Sequence, residues 1–74
     1  MERKYEIIYR AMRSHLALYD TLCASKDATS KLLRDTRRSC QSLSRHWRSL
    51  YLEAVKRYGQ RDVDAMMCRV NRDF

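Results

Sequence analysis

Apolar residues recur with a helical rhythm along almost the whole chain. From about residue 2 to residue 23, Tyr5, Ile8, Met12, Leu16, Tyr19 and Leu22 follow one another at intervals of three and four. That spacing puts them on one face of an α-helix, because a turn takes 3.6 residues. Ile7, Ala11 and Leu18 lie off the stripe. The apolar face is therefore wider than one neighbour needs and predicts contact with two elements. A second stripe runs through Leu33, Thr36, Cys40, Leu43, Trp47, Leu50 and Ala54. Its alternating three-four rhythm is that of a coiled-coil-like seam and predicts a helix over about 27–58. A short third helix is predicted over about 62–72, where Val63, Met66, Met67 and Val70 share a face and Asp62 can cap the first turn.

The punctuation agrees with three helices. Between the first two lies "ASKDATS", in which Ser25, Asp27, Thr29 and Ser30 are all able to act as an N-cap. Gly59 is the only glycine and suits a left-handed position just past the second helix. Lys56 and Arg57 sit in its last turn, where the helix dipole favours cations. One glycine and no proline leave nothing to build strand hairpins, so the chain is expected to be all-α and to form a single domain over residues 1–74.

The two long stripes also fit each other. In an antiparallel hairpin, facing residues have numbers with a constant sum. Tyr5 with Leu50, Ile8 with Trp47, Met12 with Leu43, His15 with Cys40, Tyr19 with Thr36 and Leu22 with Leu33 all add to 55. That register leaves Ala54 and Tyr58 beyond the start of the first helix, where the third helix or a second chain would cover them. It also assigns Trp47 to the seam rather than to a base-stacking role.

Charge changes this picture more than composition does. The chain carries a net +7, and the second helix holds eight of its sixteen Lys and Arg residues against only Asp35 and Glu53. Arg34, Arg38, Arg45 and Arg48 form a ridge at helical spacing, continued by Gln41 and Leu52 and flanked by Lys31, Arg37, Lys56 and Arg57. A face that is merely solvated usually mixes signs at i,i+4, and such pairs are mostly absent here. Arginine suits bidentate contact with phosphate or carboxylate, so an acidic partner is expected.

Other chemistry finds little support. Cys23, Cys40, Cys68, His15 and His46 show no closely spaced ligand pair, so no metal is expected. The nine carboxylates are scattered, and no phosphate loop or nucleophile motif occurs. Neither an enzyme, a cofactor nor a small-molecule substrate is expected. No apolar run is long enough to span a membrane. The N-terminal "MERKYEII" has no signal core, and with three scattered cysteines this predicts an intracellular setting, cytoplasmic or nuclear, with reduced thiols.

The stretch "LSRHWRSLYLEAVKRY" resembles the third helix of MADF or Myb/SANT-like DNA-binding domains, where a tryptophan precedes an "L..Y" pattern and basic residues follow. It is also similar to a helix of a spectrin-type repeat through its "W..L...A..R" spacing. The first resemblance implies DNA binding and the second a structural helical repeat. Each covers about sixteen residues. The first-helix tryptophan of Myb-like domains is absent, and the third helix is too short for a spectrin repeat.

The leading expectation is therefore a helical protein–protein interaction module. A chain of 74 residues buries only about 60% of its unfolded surface and gains from association. Tyr51, Leu52, Met66 and Met67, left over once the hairpin is built, are the expected interface with a partner or with a second copy in a homodimer. The alternative is a nucleic-acid-binding domain that contacts phosphates through Arg34, Arg38, Arg45 and Arg48.

Overall fold

The computed structural model describes all residues from Met1 to Phe74. It contains three helices and no strand: α1 (Arg3–Ala24), α2 (Ser30–Tyr58) and α3 (Gln60–Asn71). Helices α1 and α2 form a long hairpin, and α3 folds back across one end of it.

The hairpin turn shows which of the four candidate caps is used. Thr29 is the N-cap of α2, its hydroxyl accepting a hydrogen bond from the Leu32 amide at 3.1 Å. Ser25 closes α1 instead, its amide donating to the Leu22 carbonyl at 3.1 Å. The helix predicted from about residue 27 thus starts at Ser30, because Thr29 is the residue placed to satisfy an orphan amide of the first turn.

The second junction is a single residue. Gly59 ends α2 and begins α3, with φ 92° and ψ 154°. Its φ is positive, as expected of a glycine past a helix end, but its ψ is extended rather than left-handed helical. This region of backbone space is nearly closed to residues with a Cβ. The sharp reversal lets α3 start at Gln60, two residues earlier than the sequence pattern indicates. Asp62 is then a first-turn residue rather than the cap. Its carboxylate favours the helix dipole there, and no side chain caps α3.

The core sits at this three-helix end. Tyr5 and Tyr9 of α1, Trp47 and Ala54 of α2, and Val63, Met66 and Val70 of α3 form one buried cluster. Trp47 lies between Tyr9, whose ring centroid is 4.9 Å away, and Tyr51 at 5.9 Å. The antiparallel hairpin is present, and α3 covers Ala54 as the overhang implied. The ring facing Trp47, however, is Tyr9 rather than Ile8. The reason lies in α3. It packs on the Tyr9 flank of α1, where the Tyr9 hydroxyl donates to Asn71 at 2.8 Å and Arg69 pairs with Glu6. The second face of α1 is therefore the Tyr9 side, while Ile7 and Leu18 are exposed.

Substituting Gly59 by Ala should destabilise the fold by about 1–3 kcal/mol through backbone strain alone. A Cβ at this position would meet nothing within 4 Å, so steric contact adds no cost. Urea unfolding followed by circular dichroism checks this, with an unchanged midpoint as the contrary result.

Candidate functional site

The arginine ridge lies on the face of α2 opposite the seam. Arg34, Arg38, Arg45 and Arg48 are all exposed, with Lys31 and Arg37 beside them. From Arg34 to Arg48 the line spans about 21 Å of helix. None of these six side chains forms an ion pair.

Every ion pair lies at the other end of the molecule. Lys4 pairs with Glu2 and Glu53, Arg10 with Glu6 and Asp73, Arg57 with Glu2 and Glu53, and Arg69 with Glu6. These residues surround the three-helix core. Within them, Tyr5 is fully enclosed and its hydroxyl lacks a partner in good hydrogen-bonding geometry. It lies close enough to Glu53 to help hold that carboxyl below its ordinary value of 4.5, with Lys4 and Arg57 adding to the effect against partial burial. The same hydroxyl and the Glu2 carboxylate raise Arg57. Glu2, Glu6, Glu53 and Asp73 are thus engaged around the core, and the cations of the other half form no ion pair with Asp20, Asp27 or Asp35.

The flank of the ridge is a groove. Past the end of α3, a cavity of about 470 Å³ opens between α1 and α2. Leu16, Tyr19 and Cys40 line it, and Arg37 and Arg45 flank it. Ser44 lines both this groove and the adjoining pocket, where Met67 of α3 meets Met12, Trp47 and Tyr51. The slot that α3 occupies therefore continues, unfilled, along the open half of the hairpin. Burial, and after it the nearby Asp20 carboxylate of α1, raises the pKa of the Cys40 thiol at the floor of the groove. Tyr19 sits next to Cys23, whose thiol is the main cause of its raised phenol pKa.

The residues expected to form an apolar interface are divided by the structure. Met66 is part of the core at 4% exposure and so is not on the surface of the folded chain. It faces inward because α3 turns the Val63, Met66 and Val70 side toward Ala54 and the tyrosines. Tyr51 and Met67 are half-buried against that core, and the Tyr51 hydroxyl accepts from Gln60 at 2.7 Å. Leu52 alone is open, at 65% exposure, in line with the arginines. The groove residues Leu16, Tyr19 and Cys40 were assigned to the seam by their periodicity. Their accessibility depends on where α3 stops, which the stripe does not encode.

Cys23 and Cys68 are exposed free thiols, Cys40 is a buried one, and no three His, Cys, Asp or Glu side chains converge. The His15 Nδ1 donates to the Ala11 carbonyl at 3.0 Å, which satisfies the ring locally. No helix is long and apolar enough to cross a membrane. No protein-family model, curated protein or solved structure matches the chain.

Two outcomes follow from this distribution of charge. Replacing Arg34, Arg38, Arg45 and Arg48 by Gln should change the stability of the free protein by no more than about 0.5 kcal/mol per site, since these side chains are exposed and form no ion pair. Relief of like-charge repulsion should make the sign favourable. Urea titration of the quadruple variant measures both. Glu53 governs part of the acid response. Its folded pKa lies below its unfolded one, so its contribution is complete above about 4.5 and is lost as pH falls through the folded value. Thermal melts over this range should show a shallower acid decline in Glu53→Gln than in the parent.

Proposed function

We propose that this chain is a non-enzymatic helical interaction module that docks an acidic partner protein through the cationic side of α2. The observation that carries this reading is the six-residue cluster Lys31, Arg34, Arg37, Arg38, Arg45 and Arg48, exposed and free of ion pairs, with Asp35 the only carboxylate among residues 31–48. Unpaired like charges destabilise a small fold, and an acidic surface would offset that repulsion. Apolar surface beside the cluster, at Leu52 and in the Leu16–Tyr19–Cys40 groove, favours a protein over a polyanion that offers only phosphates. A hetero-partner is preferred to a second copy. Two chains of net +7 repel each other, and Met66, one of the residues a homodimer was expected to bury, is spent in the core.

Nucleic acid is the second reading, favoured by the straight line of arginines at phosphate-reading length. Its stacking component has lost support, because Trp47 is enclosed by Tyr9 and Tyr51.

Fluorescence anisotropy separates the two. At about 0.15 M salt, where the Debye length is ~8 Å, a labelled Glu-rich amphipathic peptide should bind, while duplex DNA and single-stranded RNA should bind only at low salt. Arg38→Glu combined with Arg45→Glu should weaken peptide binding at least tenfold. Sub-micromolar DNA or RNA binding that persists at the higher salt overturns the protein reading.

A further inference from the structure

The open groove has a definite shape, charge and direction. At ~1.5 Å per residue, α2 is about 43 Å long and α3 about 18 Å, so roughly 25 Å of the hairpin carries no third helix on this side. Ser44 joins the occupied and unoccupied parts of the slot. In the occupied part, α3 offers Val63, Met66, Met67 and Val70 at the spacing of one helical face. In the unoccupied part the apolar floor is Leu16, Tyr19 and Cys40, and the flanks are Arg37 and Arg45; no carboxylate lines the groove, and Asp20 of α1, near enough to act on Cys40, is the single acid set against those two arginines.

The geometry points to one occupant: an acidic amphipathic helix of the partner protein, seated end to end with α3 and completing a three-helix bundle along the open half of the hairpin. The inference rests on the acidic-partner reading above and adds where that partner sits and what it presents. A helix fits because the slot is already a helix site over its other half. Its apolar side chains recur at i, i+3, i+4 and i+7 to reach Leu16, Tyr19 and Cys40, the usual pattern of a helix held in a groove. Acidic side chains border that stripe because they meet Arg37 and Arg45, neither of which forms an ion pair. A second copy of the chain is a poor occupant. The most cationic of its helices is the longest one, and the apolar face of α3 is already buried in its own core.

The probe is a labelled, stapled helical peptide of about 16 residues with leucines at i, i+3, i+4 and i+7 and glutamates flanking them. A matched peptide has lysine in place of every glutamate. Anisotropy gives affinity, and amide chemical shifts of ¹⁵N-labelled protein give location. The expected result is micromolar binding of the glutamate peptide, at least tenfold weaker binding of the lysine peptide, and shifts concentrated at Leu16, Tyr19, Cys40 and Ser44. Ser44→Phe, which fills the groove without changing charge, should weaken binding at least tenfold. Shifts confined to Arg34, Arg38 and Arg48, with affinity unchanged by Ser44→Phe, would overturn the groove and leave the acidic-partner reading standing. Equal binding of both peptides would overturn the charge argument. No binding of the glutamate peptide would overturn both the groove and the reading beneath it. The shift map uses the parent protein, so the location is decided even where Ser44→Phe does not fold.

Discussion

Gly59 carries the constraint on which the rest depends. A 29-residue helix has no internal reason to stop near Tyr58 and reverse. A residue at φ 92° and ψ 154°, open only to glycine, breaks it within one position. That break sends α3 back along the hairpin rather than onward. Ala54 is fully enclosed as a result, and Val63 and Val70 reach zero exposure. A longer linker would let α3 swing, at a loss of the packing of Val63, Met66 and Val70 into the core.

Because α3 is only 12 residues long, the molecule is built unevenly. One half is a three-helix bundle with nearly all of the core. The other half is a bare helix pair in which Cys40 and Thr36 are the only buried residues. Two helices alone enclose little volume, so their inward side chains remain partly accessible on each flank. The electrostatics follow the same division. Glu2, Glu6, Glu53 and Asp73 engage Lys4, Arg10, Arg57 and Arg69 around the bundle. These pairs are exposed and individually weak. Their consequence is one of distribution: four of the nine carboxylates are engaged at one end, while Asp35 alone stands among the six cations of residues 31–48 at the other.

The thin half of the fold and the cationic half therefore coincide. Apolar side chains with incomplete cover lie beside arginines without counter-ions. Either feature alone is common on protein surfaces and carries little meaning. Their juxtaposition on one flank, in line with an existing helix slot, narrows the chemistry of what fits there.

The sequence by itself determined the three helices, their antiparallel pairing, the cationic ridge and the position of the sharp turn. These are local or periodic properties: a three-four stripe, a lone glycine, charges spaced at one turn. It also assigned Trp47 to the interior, since a tryptophan on a seam has apolar neighbours on both sides. Only the tertiary structure decided the flank of α1 on which α3 lies. Periodicity pointed to the Ile7, Ala11 and Leu18 side. The packed side is that of Tyr9, a residue whose phenol both fills space against Trp47 and reaches Asn71. A hydroxylated aromatic reads as ambiguous along a stripe, and the choice of flank depends on the dihedral angles of one glycine 50 residues away. The same choice buried Met66, left Leu52 open, and exposed the groove at Leu16, Tyr19 and Cys40. A stripe records which residues face inward; how far along the stripe another helix extends is a property of the assembled chain.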